Sequence, residues 1–323
     1  MSDSFLTSVA PLIERIDQVL EEVLSQSDDF LAHVGLYGFH GGGKRLRPVQ
    51  FCLSCEALGR PTDRDVLWQS TNFELLHLAT LFHDDIVDQA ETRRGRPAAH
   101  KAYGIPEAVL AGDYLLARAA EVAMATKNIR CFEVFIRVIR ELSLGELDQI
   151  KARNRSELDR AAYESIIYRK TAVLMEGVGL TAGLWLGAGE KETVSLGEFG
   201  RKLGLAFQMT DDVLDYRGQA ARLGKPAGQD LAEGRITLPF ILARELLAGT
   251  LKERLLNLGA KGELTEAEKE EIIDLVTGSG ALEEAQSQAE KLAQAALADL
   301  SGFSPELKEP LVRLSRAMVI RDC

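Results

Sequence analysis

The chain contains 323 residues, 46% of them hydrophobic, and carries a formal net charge of −11 at pH 7. This length is compatible with one large domain or two, and the apolar content is sufficient for a sizeable core. Because nucleic-acid binding requires a basic face, the acidic balance argues against a nucleic-acid partner.

The sequence gives no sign of export or of a membrane span. The start of the chain lacks a basic segment followed by an apolar run, so we expect no signal peptide. The longest apolar segment, 171–189, contains Glu176 and several glycines, which favours a buried helix over a membrane span. The cysteines are Cys52, Cys55, Cys131 and Cys323. Since they lack zinc-ligand spacing, we interpret them as reduced thiols and predict a cytoplasmic protein.

The first segments in chain order are a helix and a glycine-rich basic stretch. Apolar residues recur every three or four positions over 9–23, which predicts an amphipathic helix. In residues 40–48, three successive glycines precede Lys44 and Arg47, so backbone groups and cations lie close together. This stretch resembles an anion-binding loop, and a helix-linking turn with solvated basic residues is an equally good interpretation. The spacing of a Walker phosphate loop is absent.

A long helix is predicted over about residues 62–89, with Thr62 and Asp65 as its capping pair. It ends in a D-D-x-x-D cluster formed by Asp84, Asp85 and Asp88. At about 100° per residue, His77, Asp84 and Asp88 fall within about 40° of one another. The flanking residues are apolar, which indicates that the helix is largely buried, and buried carboxylates require a partner or a metal ion.

Four further segments follow this cluster. A basic run at 93–97 contains a glycine and a proline that are predicted to end the helix. Helices from Ile105 onward and over 131–151 are interpreted mainly as packing elements, because their apolar residues have helical spacing. Lys170 and Thr171 then open an apolar helix rich in small residues, which favours either close helix contacts or an open channel.

A second aspartate-rich cluster lies in a helix predicted over 196–216. Its polar residues have the spacing i, i+3, i+4 and i+7, which places them on one face: Gln208, Asp211, Asp212 and Asp215. The same face continues toward the N-terminus through Gly197, Gly200 and Gly204. Because glycine inside a helix costs about 0.5–1 kcal/mol relative to alanine, this stripe indicates either a ligand channel or tight helix packing.

The last part of the chain combines a loop with further helices. Residues 217–234 have the composition of a mobile loop, from which Lys225 can reach an anion when the loop closes. Thr265 and Glu268 form a predicted capping box at the start of a later helix. Because no stretch shows convincing strand periodicity, we predict an all-α fold with a single domain over residues 1–323.

Two clusters of three carboxylates suit Mg²⁺, which prefers octahedral oxygen ligands and is commonly bound together with substrate phosphates. The twelve-residue spacing of calcium loops is absent, and the clusters lack the cysteines and grouped histidines of zinc sites. The cations that accompany the acids are Lys44, Arg47, Arg93, Arg94, Lys170 and Lys225. Together they predict a polyphosphate ligand held by metal ions and fixed positive charges. Since no Ser-His-Asp set, activated cysteine or dinucleotide fingerprint is present, the predicted chemistry is departure of a diphosphate leaving group.

Several short motifs occur in order along residues 30–245. They are the two aspartate clusters, Gly43-Lys44-x-x-Arg47-Pro48, the RRGRP run at 93–97, the GDYLLAR run at 112–118, Phe207-Gln208-x-x-Asp211-Asp212 and Gly224-Lys225. In this combination the chain resembles a trans-polyprenyl diphosphate synthase, of the long-chain type that includes octaprenyl diphosphate synthases. The resemblance implies an isoprenoid-synthase fold, a helical bundle around a central active-site cavity, usually in a homodimer. It also implies a prenyltransferase of isoprenoid biosynthesis, which condenses an allylic diphosphate with isopentenyl diphosphate through Mg²⁺-assisted ionisation, attack by the alkene and loss of a proton.

The resemblance also implies roles for individual residues. The metal ligands it implies are Asp84, Asp85, Asp88, Asp211 and Asp215, with Asp212 in support. The groups for the allylic diphosphate are Arg93, Lys170 and Lys225, and those for isopentenyl diphosphate are Lys44, Arg47, His77 and Arg94. Thr171 and Gln208 match polar groups beside the allylic cation, so the implied catalytic residues are Lys170, Thr171, Gln208 and Lys225. Arg235, a further substrate-binding residue, stands where many relatives have lysine, which keeps the charge but enlarges the group.

Product length is predicted from Ala79 and Thr80, the residues five and four before the first aspartate. In the family that the chain resembles, these positions form the floor for the growing tail, and bulky aromatic residues there stop elongation early. Both residues are small here, and the first cluster lacks the two-residue insertion of bacterial short-chain enzymes, so we predict a long-chain all-trans product.

Three alternatives stay open beside this prediction. A short-chain farnesyl or geranylgeranyl diphosphate synthase shares every motif and differs only in the floor of the tail site. A non-catalytic subunit of a heteromeric synthase should have lost acids or arginines, and none is lost here. A terpene cyclase fits less well, because its second metal motif usually mixes Asn, Ser and Glu.

Overall fold

The computed structural model describes residues 3–26, 30–218 and 227–319. The chain divides into two compact units. Unit 1 consists of Met1–Ile139, Gly177–Gly197 and Leu300–Leu314, and unit 2 consists of Arg140–Glu176, Glu198–Asp299 and Ser315–Cys323.

Helices make up almost all of the regular structure in the described ranges. The first are α1 (Asp3–Leu24), α2 (Phe30–Phe39), α3 (Leu46–Ala57), α4 (Arg64–Val87), α5 (Ala99–Tyr103), α6 (Ile105–Ala125) and α7 (Ile129–Ala152). They are followed by α8 (Arg160–Ile167), α9 (Val173–Leu186), α10 (Glu190–Arg217), α11 (Gln229–Ala232), α12 (Leu238–Leu246), α13 (Gly249–Gly259), α14 (Glu266–Gly278), α15 (Ala281–Asp299) and α16 (Pro305–Val319). A π-helical turn, Tyr168–Ala172, precedes α9, and a 3₁₀ turn, Leu300–Gly302, follows α15. The predicted all-α class is confirmed.

A short hairpin is the exception to the predicted absence of strands. Strand β1 (Thr92–Arg93) pairs in antiparallel fashion with β2 (Arg96–Pro97). The two residues between the strands, Arg94 and Gly95, have φ angles of 53° and 77°. Positive φ at both central positions is typical of a type I′ turn, whose twist matches that of paired strands. The basic run at 93–97 therefore reverses the chain as well as following the end of a helix.

The core of unit 1 forms where α4 packs against α3 and α6. Phe73 and Leu75 on α4, Phe51 on α3 and Leu115 on α6 are buried. Each fully buried side chain of this kind contributes roughly 1.5–3 kcal/mol relative to an exposed one. Since this packing fixes the middle of α4, it also fixes the direction of its last turn, which carries the first aspartate cluster.

The N-terminus of α4 is capped by a residue other than the predicted pair. The side chain of Asp63 accepts a hydrogen bond from the backbone N–H of Val66 at 3.0 Å, which makes Asp63 the N-cap. The predicted capping pair, Thr62 and Asp65, is therefore wrong. The hydroxyl of Thr62 donates instead to the carboxylate of Glu56 at 2.6 Å, which ties the turn to the end of α3.

The core of unit 2 includes α12, which packs against α14 and α15. Phe240 and Ile241 on α12 and Ala289 on α15 are fully buried. The predicted capping box of α14 is confirmed, because the Glu268 N–H donates to the Thr265 hydroxyl at 3.3 Å and the Thr265 N–H donates to the Glu268 carboxylate at 3.0 Å.

Two glycines of the predicted stripe are closely packed. In unit 1, a Cβ on Gly197 would lie 2.7 Å from a methyl carbon of Leu180. In unit 2, a Cβ on Gly204 would lie 2.6 Å from the Cα of Ala172. Real Cβ atoms do not make such short contacts, so tight packing rather than an open channel explains glycine at both positions.

The apolar segment 171–189 contains α9, and no helix in the described ranges has the length and apolar character needed to cross a membrane.

Candidate active site

The first aspartate cluster occupies the end of α4 in unit 1. Asp84 and Asp88 are partly exposed and are spaced by one helical turn, whereas Asp85 is buried, with 4% of its surface exposed. Arg93, on β1, reaches back to Asp85 and donates from Nε to its carboxylate at 2.8 Å, and also from Nη2. The hairpin thereby places a predicted phosphate-binding cation directly against the predicted metal cluster.

The donors of the first cluster fit a divalent metal that completes its coordination with other ligands. Within the described ranges, no group of three or more His, Cys, Asp or Glu side chains is arranged to hold a metal ion on its own. Asp84 and Asp88 nonetheless offer oxygen ligands from the same end of one helix. Because Mg²⁺ is usually bound through one or two carboxylates together with waters and substrate phosphates, such a pair is sufficient for it.

The glycine-rich basic stretch links α2 to α3 and has two guanidinium groups against its backbone. A Cβ on Gly43 would lie 3.0 Å from Nη1 of Arg45 and 3.0 Å from Nη1 of Arg94, so glycine leaves room for both arginines. Lys44 is exposed, and Arg47 lies in the first turn of α3, where free backbone N–H groups favour an anion. The stretch is thus a helix-linking turn, and the cations that it brings together agree with the anion-binding interpretation as well.

Arg45 has a structural role that the sequence analysis did not single out. It is 6% exposed and adopts a left-handed backbone conformation, with φ 49°. Its Nε donates to Asp17 at 2.6 Å and its Nη1 to Glu74 at 3.3 Å, and its guanidinium lies 4.5 Å from the centre of the Phe39 ring. Its two acidic partners are 28 and 29 residues away in the chain, so no local pattern distinguishes Arg45 from its basic neighbours.

Arg47, His77 and Arg94 interact electrostatically in unit 1. Burial lowers the pKa of Arg47; the carboxylate of Glu74 opposes this shift and Arg94 adds to it. Burial also lowers the pKa of His77 well below its usual value, and the charges of Arg47 and Arg94 add to the effect. His77 is therefore neutral at pH 7 and available as a hydrogen-bonding group. Burial is again the largest cause that lowers the pKa of Arg94. An anionic ligand would favour the charged forms of Arg47 and Arg94, because a nearby opposite charge stabilises a cation.

In unit 2, Lys170 and Thr171 lie on the π-helical turn that precedes α9. The ammonium of Lys170 lies 2.5 Å from the carboxylate of Glu146, and the hydroxyl of Thr171 donates to the side-chain carbonyl of Gln208 at 2.9 Å. Turns of this kind are rare and are frequent at functional sites, and the periodicity of the sequence does not predict this one. The structure brings together Thr171 and Gln208, the two residues that the resemblance places beside the allylic cation.

The hydrogen-bonded chain continues from Gln208 into the second aspartate cluster. The Gln208 amide donates to one oxygen of Asp212 at 2.9 Å, and the hydroxyl of Tyr163 donates to the other at 2.6 Å. Burial raises the pKa of Asp212 to about 6, while these two hydrogen bonds act to lower it. Tyr163 is a site residue that the sequence analysis missed, because it lies 49 residues from Asp212 and outside every motif.

The other aspartates of the second cluster have different surroundings. Asp211 is partly exposed, whereas Asp215 accepts hydrogen bonds from the backbone N–H groups of Gln229 at 3.1 Å and Asp230 at 3.2 Å. Burial raises the pKa of Asp215. Burial, followed by the charges of Asp212 and Asp215, raises the pKa of Asp230 to about 8. Asp230 is therefore a further carboxyl group beside the second aspartate cluster. The sequence analysis did not single it out, because it lies in the segment predicted as a loop.

Two more predicted binding residues follow the second cluster. Arg235 lies 3.5 Å from the carboxylate of Asp230 and 2.6 Å from that of Glu233, so acids of its own unit balance its charge. Lys225 falls in residues 219–226, outside the described residues.

The two predicted length-determining residues lie on α4, shortly before the first cluster. Ala79 is 2% exposed, so a larger side chain at this position must displace its neighbours or fill the space beside them. Thr80 is partly exposed, and its hydroxyl donates to the backbone carbonyl of His77 at 2.8 Å.

An all-α protein with two aspartate-rich clusters and a set of arginines and lysines beside them has the composition of an enzyme that acts on diphosphates. The sequence model of the polyprenyl synthetase family matches residues 28–276. The chain therefore belongs to the polyprenyl synthetase family, and it is a chain-elongating prenyltransferase.

Individual relatives and a solved structure agree with this membership. The chain is 32% identical to the octaprenyl diphosphate synthase of Haemophilus influenzae, over 97% of this chain and 94% of that protein. It is 34% identical to the all-trans-nonaprenyl-diphosphate synthase (geranyl-diphosphate specific) of Rhodobacter capsulatus, over 98% of this chain and 97% of that protein. The crystal structure of a polyprenyl synthase from Caulobacter crescentus, complexed with calcium and isoprenyl diphosphate, matches with a TM-score of 0.91 and 32% identity, covering 100% of this chain and 98% of that one. The predicted isoprenoid-synthase fold is confirmed.

Proposed function

We propose that this prenyltransferase is a long-chain all-trans polyprenyl diphosphate synthase, which condenses an allylic diphosphate with isopentenyl diphosphate. The observation that carries the proposal is the position of the arginine hairpin against the first aspartate cluster, through Arg93 and Asp85. A guanidinium next to carboxylates suits a ligand that carries both negative charge and a bound metal ion, as an isoprenoid diphosphate does. The octaprenyl and nonaprenyl products named for the two relatives support a long chain.

The proposed metal-binding residues are Asp84, Asp85, Asp88, Asp211, Asp212 and Asp215. Mg²⁺ is the proposed ion, because carboxylate oxygens combined with substrate phosphates match its preferences. When bound, it supplies positive charge where negative charge develops on the departing diphosphate. All of these aspartates except Asp85 and Asp212 are partly exposed. Asp212 is a supporting member, since its oxygens already accept hydrogen bonds from Tyr163 and Gln208.

The basic residues divide between the two diphosphates. The allylic diphosphate is assigned to Arg93, Lys170 and Lys225, and Arg235 is proposed as a further substrate-binding residue. Isopentenyl diphosphate is assigned to Lys44, Arg47, His77 and Arg94. Burial is the largest cause that lowers the pKa of both Arg47 and Arg94, and nearby cations add to it, so a diphosphate beside them would favour their charged forms. His77 is neutral because of burial, so it contributes a hydrogen bond rather than a further charge.

Thr171 and Gln208 are proposed to stabilise the allylic cation. Because the hydroxyl proton of Thr171 is donated to Gln208, the lone pairs of that hydroxyl oxygen remain available to face developing positive charge. Lys170, one residue earlier, is assigned to the departing diphosphate, and its ion pair with Glu146 restricts the ammonium before substrate binds.

Ala79 and Thr80 are proposed to determine product length, because small side chains there leave room for a long tail. We also propose that residues 1–323 act as a single catalytic domain, that the enzyme is a homodimer and that it is cytoplasmic. The described cysteines are free thiols, which agrees with a reducing compartment.

Incubation of the purified protein with farnesyl diphosphate, isopentenyl diphosphate and Mg²⁺, followed by sizing of the extracted products, tests this proposal. We expect products longer than geranylgeranyl diphosphate. A farnesyl or geranylgeranyl end product would identify a short-chain synthase, and total inactivity would favour a subunit of a heteromeric synthase.

A matched pair of variants on α4 tests the assignment of the metal ligands. Asp84→Asn should lower kcat by about a hundredfold, the typical effect of removing one group that stabilises developing charge. Asp65→Asn, at an exposed aspartate in the first turn of the same helix, should retain activity. Equal activity in the two variants would overturn the assignment of Asp84.

A further inference from the structure

The end of α2 holds two basic segments of unit 1 through a repeated contact. The guanidinium of Arg96 lies 4.1 Å from the centre of the Tyr37 ring, and its Nη1 donates to the Tyr37 carbonyl at 3.3 Å. Two residues later the same contact recurs, since Arg45 lies over the ring of Phe39 and its Nη2 donates to the Phe39 carbonyl at 3.3 Å. Each arginine thus binds both the ring and the carbonyl of one residue of α2.

This position on the helix has a physical reason. The last carbonyls of a helix lack partners within it and carry the negative end of the helix dipole, so a guanidinium satisfies both the hydrogen bond and the charge. The helix is itself fixed, because a Cβ on Gly38, between the two aromatic residues, would lie 2.3 Å from the ring of Phe82 on α4. The end of α2 is therefore packed closely against α4 where it contacts these segments.

Tyr37 makes one more contact with the hairpin. Its hydroxyl donates to the carbonyl of Pro97 at 2.8 Å, so Tyr37 holds β2 through both Arg96 and Pro97. Pairing between two strands of two residues each is not sufficient to hold a hairpin in place, because even longer isolated hairpins are only marginally stable. The contacts with Tyr37 therefore contribute to the position of the whole hairpin, including the arginine of β1 and the arginine of its turn.

We propose that Tyr37 and Arg96 are positioning residues that set where Arg93 and Arg94 present their guanidinium groups to the substrates. This inference rests on the proposed function, in which Arg94 binds isopentenyl diphosphate and Arg93 binds the allylic diphosphate. Arg93 is also held directly by Asp85, whereas Arg94 lies in the turn between the strands. Loss of the contacts with Tyr37 therefore affects binding of isopentenyl diphosphate more than binding of the allylic diphosphate.

Steady-state kinetics of three variants of the full chain tests the inference. Arg96→Gln removes the guanidinium, Tyr37→Phe removes only the hydroxyl that binds Pro97, and Tyr37→Leu removes the ring as well. We expect Arg96→Gln and Tyr37→Leu to raise KM for isopentenyl diphosphate about tenfold, and Tyr37→Phe about threefold, as expected for lost hydrogen bonds. KM for the allylic diphosphate should change by less than about twofold. The matched control is Arg64→Gln, at an exposed arginine paired with Glu22, which should leave both KM values unchanged.

The difference between the two KM values separates positioning from stability. Loss of folded protein lowers the apparent kcat without changing KM, so a purely structural role does not raise KM for one substrate alone. Unchanged KM values in both Arg96→Gln and Tyr37→Leu would overturn the inference. Should Tyr37→Leu fail to fold, the result with Arg96→Gln decides.

A double variant distinguishes this inference from the function on which it rests. If Arg96 acts through Arg94, the double variant Arg94→Gln/Arg96→Gln should have a KM for isopentenyl diphosphate less than about twofold above that of Arg94→Gln alone. A tenfold effect that persists in that background would overturn the inference, because Arg96 would then act independently of Arg94. If Arg94→Gln alone leaves KM for isopentenyl diphosphate unchanged, the assignment of Arg94 in the proposed function fails instead.

Discussion

Replacement of Tyr163 by phenylalanine removes a single hydroxyl from a buried position in unit 2 without creating a cavity. Tyr163 and Asp212 are each 2% exposed, and the two oxygens that share the hydrogen bond are 2.6 Å apart. Without the hydroxyl, one oxygen of the Asp212 carboxylate loses a partner that water cannot readily replace. Hydrogen bonds to charged groups contribute about 1.5–3 kcal/mol, so we expect Tyr163→Phe to lower the free energy of unfolding by about that amount.

Urea denaturation followed by circular dichroism measures this change. The experiment is best performed at about pH 8, because the pKa of Asp212 is about 6 and its carboxylate is ionised there. Tyr103→Phe is the matched control, since the ring of Tyr103 makes edge contacts with Tyr37 and Phe30 in unit 1. The control should change the free energy of unfolding by less than about 0.5 kcal/mol. Equal losses in the two variants would refute the reasoning about the buried carboxylate.

Three other predictions concern product length, packing and acid stability. Ala79→Phe should shorten the products, because the ring fills buried space at the proposed floor of the tail site, and chromatography of the extracted products measures their length. Gly204→Ala should destabilise the protein by about 1–3 kcal/mol in urea denaturation, because its Cβ would meet the backbone of Ala172 at 2.6 Å and no side-chain rotation relieves the contact. At Glu268, hydrogen bonds from Lys261 and the cap residue lower the pKa from 4.5 to about 2, so its ionised form contributes stability that is lost as the pH falls through this range. Glu268→Gln should therefore show a smaller fall in urea midpoint than the wild type between about pH 5 and pH 3.

Each of these predictions has an outcome that contradicts it. Unchanged product length in Ala79→Phe would remove this residue from the tail site. Gly278→Ala is the control for packing, because a Cβ there meets nothing within 4 Å, and equal destabilisation of both glycine variants would contradict the steric argument. Glu270→Gln, at an exposed glutamate of α14, is the control for acid stability, and an acid response equal to that of Glu268→Gln would contradict the role of the capping box.

The sequence by itself determined the features that depend on spacing along the chain. Helical periodicity predicted the all-α class, and the interval between Thr265 and Glu268 predicted a capping box that the structure contains. The order of short motifs was sufficient to identify the family. The reason is that helix period and local capping depend on residues a few positions apart, and motif order is a property of the linear chain, so the sequence shows all three directly.

Tertiary structure decided which residue, among neighbours of similar chemistry in the sequence, makes a given contact. The sequence analysis predicted Thr62 and Asp65 as the capping pair, and the structure places Asp63 at the N-cap instead. Arg45 is buried between Asp17 and Glu74 because its partners come from distant helices, and Tyr163 reaches Asp212 across 49 residues. Glycine at 197 and 204 was compatible with a channel or with close packing until the neighbouring helix was placed. Apart from the local cap at Asp63, the deciding contact in each case joins residues far apart in the chain, so only the folded molecule brings the two partners within range of each other.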